Sequence, residues 1–162
     1  MPEVHLEPVA ATDKAVLSRL LELCAHDLSE YLPDLRINEH GLFDYPYLDH
    51  YWTEEGRFAS FIRADGAIAG FVMVRALDVG VSMAEFFVLR SHRRDGIGAF
   101  AARAVFSMPA GPWQVEHAAR NAPAAAFWKR MIEEAAIGRI DCDSLADGRV
   151  IYRFTTGDPP AR

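Results

Sequence analysis

The sequence predicts one mixed α/β (α+β) domain on a mostly antiparallel sheet of about six or seven strands. Three observations predict it. Strand-like runs between Arg57 and Leu89 follow one another with only tight-turn residues between them, the pattern of antiparallel neighbours. Two helical stretches, opening at Ile97 and Ala122, lie on either side of a further strand run, Trp113 to Ala119. A last pair of strand runs flanks Asp147-Gly148. The 162 residues suffice for one sizeable core, and no repeat, low-complexity segment or linker divides them.

Val4 to Ala10 reads as the first strand. Thr12 or Asp13 is placed to cap the helix that follows, in which Val16, Leu17, Leu20, Leu21, Cys24 and Leu28 recur at helical spacing. Pro33 interrupts that pattern. From Leu35 to Tyr51 the chain is aromatic, polar and irregular, with a short helix expected around Leu48 to Glu54. Arg57 to Ala64 and Ala67 to Leu77 form a hairpin about Asp65-Gly66. Asp78 to Gly80 turns the chain into a third strand, Val81 to Leu89. A helix from Ile97 to Met108 ends at the Pro-Ala-Gly-Pro stretch. Asn121 caps the helix Ala122 to Ala135, with Pro123 in its first turn. Strands near Ile137 to Asp143 and Arg149 to Thr155 close the chain. The order is β-α-α-β-β-β-α-β-α-β-β, a domain over 1–156 with a frayed tail at 157–162.

Hydrophobic residues make up 51% of the chain and charged ones 25%, an ordinary globular composition. A net charge of −6 argues against nucleic acid or an anionic membrane as the main partner, although Arg90 to Arg94 forms a local basic patch. Cys24 and Cys142 make no disulfide framework, and no Cys/His cluster of zinc-binding spacing occurs, so no metal is expected. Both read as reduced, buried thiols of a cytoplasmic protein. The N-terminus lacks a basic region followed by an apolar run, so no signal peptide is expected. No apolar run approaches the roughly 20 residues of a membrane helix.

Arg93 to Phe100, RRDGIGAF, is the most informative stretch. A helix N-terminus offers unpaired N–H groups and partial positive charge, and glycines let a phosphate approach them. A P-loop is excluded, because no Lys-Ser or Lys-Thr follows. GIGAFA fits the dinucleotide pattern GxGxxA, with Glu116 about 20 residues on as the ribose-binding acid. Against that reading, six residues separate the strand end from the first glycine, and the preceding strands read as hairpins. Arg93 to Gly98 also fits [Q/R]-x-x-G-x-[G/A].

With that motif the chain resembles the GNAT superfamily of acyl-CoA-dependent N-acyltransferases. Val88 stands where the family's fourth strand ends. Asn121, Ala124 and Phe127 follow the fifth strand at the family's NxxAxxF spacing. The resemblance covers nearly the whole chain. AEFFVLRSHRRDGIG, NAPAAAFWKRMI and the N-terminal HDLSEYLPD and GLFDYPYLDHYW look most like a bacterial subgroup of acetyltransferases without an assigned substrate.

The resemblance implies transfer of an acetyl group from acetyl-CoA to an amine. It implies that strands four and five splay apart and that backbone groups of Phe86, Phe87 and Val88 pair with the pantetheine. N–H groups of Arg94, Asp95, Gly96, Ile97, Gly98 and Ala99 would hold the pyrophosphate, with a charge-assisted contact from the Arg93 side chain. Asn121 would reach the pantetheine, serve as a plain helix cap, or both. A base must deprotonate the amine. Glu85 interrupts the apolar run MAEFFVL and is the preferred candidate. Glu116, five residues before Asn121, is the second, at a spacing used by some amino-terminal acetyltransferases of the superfamily. Many members carry a Tyr acid where this chain has Trp128, whose indole cannot serve. Trp128 is expected to pack on the pantetheine, with Tyr152 or water as the donor, or with the thiolate leaving unaided. His92 and His117 are read first as surface histidines.

In this fold the first two helices and their connection wall the acceptor site. That segment interleaves Asp27, Glu30, Asp34 and Asp49 with Tyr31, Tyr45, Tyr47, Tyr51 and Trp52, which suits a small cationic amine, with a peptide N-terminus as the alternative; Asp27, Tyr31, Tyr45 and Trp52 are the candidates. The family also implies a possible homodimer. Competing readings are a non-catalytic CoA-binding sensor, motivated by Trp128, an NAD-dependent oxidoreductase, motivated by GIGAFA, and a toxin that acetylates charged transfer RNA, which the acidic balance disfavours.

Overall fold

Asp65 and Gly66 take positive φ, 49° and 80°, the pair of left-handed conformations that a two-residue hairpin turn requires. They join β2 (Arg57–Ala64) to β3 (Ala67–Ala76), and a turn closed by Leu77 N–H to the Gly80 carbonyl leads into β4 (Val81–Val88). The computed structural model describes residues 1–158. β1 (Val4–Pro8) lies antiparallel on the outer side of β2. β5 (Gly111–Ala118), β6 (Asp141–Ser144) and β7 (Arg149–Thr156) complete a seven-stranded sheet in the order β1-β2-β3-β4-β5-β7-β6. Every neighbouring pair is antiparallel except β4 with β5.

α1 (Lys14–Leu28) covers one face. Its Leu17, Leu20, Leu21 and Cys24 are buried against Phe61, Phe71, Met73 and Phe87 of the sheet. The four-residue α2 (His50–Thr53) packs Tyr51 into the same cluster. α3 (Ile97–Phe106) and α4 (Ala122–Ala135) cover the other face, where Ala102, Phe106, Trp128, Met131 and Ile132 meet Val72, Met83, Trp113, Val115 and Phe154. None of these helices is long and apolar enough to cross a membrane.

The parallel seam holds for three residue pairs: Val81 with Trp113, Ser82 with Gln114, and Met83 with Val115. Beyond them β4 and β5 part. A bulge in β4 falls at the same place. Val74 faces Met83 and Met73 faces Glu85, so Ala84 has no opposite number. A bulge inserts one residue and shifts the alternation of side chains. Met83 therefore packs with α3 and α4, while Ala84 joins the α1 cluster, Phe86 returns to the α3/α4 face and Phe87 to the α1 face. Strict alternation would have put Glu85 on the α3/α4 face with Met83. The bulge places it with Phe87 on the α1 face.

Several expectations are corrected. Neither Thr12 nor Asp13 caps α1 through its side chain; a single 3-10 turn, Ala11–Asp13, feeds the helix instead. α3 stops at Phe106 rather than Met108. The sixth strand starts at Asp141 rather than near Ile137, because Gly138 at φ 76° breaks the extended run. Cys24 is buried, but Cys142, on the short edge strand β6, is exposed. The frayed tail expected at 157–162 falls mostly on residues 159–162, which lie outside the described residues.

Gly70 marks the tightest approach of β3 to β4: a Cβ there would lie 2.0 Å from the Phe87 carbonyl oxygen. The neighbour is backbone and cannot swing aside. Gly70→Ala is expected to destabilise the fold by ~1–3 kcal/mol, the usual range for overpacking, read as a lower urea midpoint. An unchanged midpoint would contradict this packing.

Candidate functional site

Where β4 and β5 part, a cleft of about 1260 Å3 opens through the domain. Its lining includes Glu85, Phe86, Phe87 and Val88 from β4, Glu116 and His117 from β5, the loop before α3, the start of α4, and residues from α1 and the α1–α2 connection. Past Met83 the β4 edge on this side has no strand partner, so alternate backbone N–H and C=O groups face the cleft.

The loop into α3 forms a concave row of donors. Arg94 and Gly96 both take φ 77°, a conformation favoured by glycine and uncommon for arginine. Among the described residues, the N–H groups of Arg94, Asp95 and Gly96 donate to no backbone carbonyl. The N–H groups of Ile97, Gly98 and Ala99 belong to the first helical turn, which leaves its donors unpaired. Gly96 and Gly98 keep this row open, and Arg94, Gly96, Gly98 and Ala99 line the cleft. The arrangement suits a diphosphate by chemistry and by shape.

Arg93 does not aim its charge into that row. Its Nε donates to the Val88 carbonyl (2.8 Å), one Nη donates to Asp27 (2.5 Å), and the guanidinium lies 5.6 Å over the Phe87 ring. Arg90 donates to the same carboxylate (2.8 Å). Burial raises the Asp27 pKa, but the bonds from Arg90 and Arg93 outweigh it and hold the carboxyl below its ordinary value. Asp27 thus ties α1 to the loop before α3 and is not a free acid of the acceptor wall.

The other acceptor-side candidates divide. Tyr31 and Tyr45 line the cleft. Burial first, then the charge of Glu85, push the Tyr45 hydroxyl well above the ordinary phenol range. Trp52 is not among the lining residues: its Nε1 donates to the Val9 carbonyl (3.1 Å) and its ring packs beneath α1. Glu22 was not anticipated. Its carboxylate accepts from the backbone N–H of Phe43 (2.8 Å) and of Asp44 (3.0 Å), which fixes the α1–α2 connection against α1.

Of the two candidate bases, Glu85 is half-buried on the cleft floor and Glu116 is exposed on β5. Burial pushes the Glu85 carboxyl up to about 7, against the opposing charge of Arg149. Trp128 is 6% exposed and ringed by Phe86, Phe106 and Phe127, and it still contributes to the cleft lining. Asn121 caps α4 by accepting from Ala124 N–H (3.1 Å), which leaves its amide N–H2 over for other partners.

His117 overturns the surface reading: it is 9% exposed, its Nδ1 lies 2.9 Å from the Ala118 carbonyl, and its Nε2 is buried without a partner. A carbonyl can only accept, so Nδ1 is the donor of that contact. Strand alternation was the available signal, because Trp113, Val115 and His117 share the α3/α4 face.

A carboxyl whose folded-state pKa is raised holds a proton in the folded chain that the unfolded chain has released. The stability contributed by Glu85 is therefore full below its ordinary pKa of 4.5 and is lost as pH climbs to about 7. Urea unfolding at about pH 5 and about pH 8 should show a larger loss in the wild type than in Glu85→Gln. Equal losses would contradict the burial of this carboxyl.

The model of the Acetyltransferase (GNAT) family matches residues 21–132. No curated protein matches the chain. Among solved structures, an acetyltransferase from Thermus thermophilus superposes with a TM-score of 0.71 at 13% identity, over 96% of this chain and 99% of that one. A GNAT-family acetyltransferase from Staphylococcus aureus gives 0.67 at 13%, over 94% and 99%. The PaiA N-acetyltransferase from Thermoplasma acidophilum, solved in complex with coenzyme A, gives 0.66 at 8%, over 94% and 99%. At such identities the solved structures speak for the fold, and the family match speaks for the chain. The oxidoreductase reading of GIGAFA falls with it, and a separate 3-10 turn at Arg90–His92 stands between β4 and the glycines. The match spans well over half of the sequence, and the chain belongs to the GNAT acetyltransferase family and is an acyltransferase.

Proposed function

We propose that the chain is an N-acetyltransferase that takes the acetyl group of acetyl-CoA to a primary amine of a small acceptor. The observation that carries this reading is the position of Glu85. The bulge at Ala84 turns this carboxyl into the cleft where the β4 edge loses its strand partner.

The residues fit the donor. N–H groups from Arg94 to Ala99 would hold the pyrophosphate, and the free β4 edge at Phe86 and Phe87 would pair with the pantetheine. The Val88 carbonyl is already taken by Arg93, so the Arg93 side chain shapes the cradle rather than contacting the anion. The Asn121 amide stands at the start of α4 for the pantetheine arm. Trp128 packs edge-on against Phe86 and itself lines the cleft, where it would pack on the pantetheine. Bound acetyl-CoA supplies an acetyl group activated as a thioester.

The chain's own chemistry is proton handling. An amine is mostly protonated near neutral pH and attacks only when neutral. Glu85, titrating at about 7, is partly ionised there and is a competent acceptor for that proton, directly or through water. Glu116 is the second candidate base, on the same sheet face. A backbone N–H near Phe87 is placed to stabilise developing negative charge on the acetyl oxygen.

Release of CoA thiol over a panel of primary amines tests the reading. The wild type should turn over at least one amine, with an ascending limb near pH 7. Glu85→Gln should lose that limb and about 10²–10⁴ in kcat, the usual contribution of a general base, while Glu116→Gln retains the limb. Retention of the limb by Glu85→Gln and its loss in Glu116→Gln would reassign the base. Acetyl-CoA binding with no turnover of any amine would favour the second reading, a CoA-binding module, to which the tryptophan at position 128 points.

A further inference from the structure

We propose that the acceptor carries an anionic group, a carboxylate or a phosphate, close to the amine that is acetylated, and that Arg75 holds it. The inference rests on the acetyltransferase reading and names the acceptor class for it.

Two acids that line the acceptor end of the cleft, Asp27 and Glu22, are engaged. Asp27 is bonded to Arg90 and Arg93, and both oxygens of Glu22 accept backbone N–H groups. The cations are a different matter. Arg57 and Arg75 both line the cleft and stand directly opposite one another on β2 and β3. Like charges facing across a ladder are destabilising. Arg57 is accommodated: its Nε donates to Glu54 (2.8 Å), and its guanidinium lies over the rings of Tyr47 and Tyr51 at 6.0 and 5.6 Å. Arg75 is partly buried yet, among the described residues, makes neither an ion pair nor a side-chain hydrogen bond. A half-buried guanidinium beside another cation, with no partner of its own, is arranged for an anion from outside.

Its surroundings complete the subsite. Ser82 faces Arg75 on β4, is 7% exposed, and also lines the cleft, which adds a hydroxyl donor beside the guanidinium. Met73 faces Glu85, and Arg75 is two residues on along the same face of β3. Such diagonal positions are about 7–8 Å apart, a short molecular reach. One small acceptor can thus present its amine to Glu85 and its anionic group to Arg75.

The test uses matched amines that differ only in the neighbouring group: α-amino acids, the corresponding aminoalkylphosphonates, and the neutral amides of the same amino acids. The wild type should prefer one anionic series over the amides by about tenfold or more in kcat/KM, and the preferred series separates carboxylate from phosphate. Arg75→Met should bring that ratio close to one, chiefly through KM, and Arg75→Lys, which keeps the charge but loses the fork, should recover part of it. A binding readout stands apart from turnover. With CoA saturating, so that the cradle is filled, inorganic phosphate or malonate should raise the thermal midpoint of the wild type and not that of Arg75→Met. Equal use of amides and anions by the wild type, an unchanged ratio in Arg75→Met, or an equal anion-induced rise in both proteins would overturn the proposal. If no amine of any class is acetylated, the transferase reading fails, and the anion titration still decides the role of Arg75.

Discussion

The structure turns on the parting of β4 from β5 after three residue pairs. A parallel seam that continued would bury the β4 edge in hydrogen bonds and close the sheet over its own centre. Ending the seam at Met83 leaves backbone polar groups without strand partners inside a domain, where unpaired groups are costly. The two helix layers hold the strands in this arrangement from opposite faces, with α1 on Phe87 and α3 and α4 on Phe86 and Met83. The bulge at Ala84 belongs to the same constraint. It lets β4 stay in register with β3 while Glu85 turns toward the opening.

Charge is distributed with equal economy. Asp27 on α1 collects two arginines from the loop before α3, and through Arg93 it also governs the end of β4. The basic stretch that looks like an anion claw in the sequence is in good part an internal brace. With Arg90 and Arg93 engaged, the donors left in the loop are its backbone N–H groups, the helix start and the Arg94 side chain, which lines the cleft. At the acceptor end Asp27 and Glu22 are engaged, while Arg75 has no side-chain partner among the described residues.

Much of the fold was legible because its signals are local. Asp65-Gly66 and the periodic apolar positions of α1 and α4 each encode their element within a few residues, and β2 falls on the residues read for it. The glycine loop was legible as a motif. What escaped depends on partners far away in sequence. Nothing near Asp27 announces Arg90 and Arg93, and nothing near Glu22 announces the backbone of Phe43 and Asp44. Trp52 reads as an acceptor-site aromatic because it stands among acids and tyrosines, yet its indole N–H finds the Val9 carbonyl and its ring packs beneath α1, off the cleft lining. Glu85 stands out as an acid in an apolar run, but the face it takes depends on a bulge that no residue type in MAEFFVL announces.

The central claim is that the gap between β4 and β5, with the donor row before α3, is built for coenzyme A. The most direct measurement is the thermal midpoint of the purified protein with saturating acetyl-CoA, with NADH as the control. A ligand bound only by the folded state raises that midpoint once its concentration exceeds its dissociation constant. The account predicts a clear rise with acetyl-CoA and none with NADH. No rise with acetyl-CoA, or a rise with NADH alone, would contradict it.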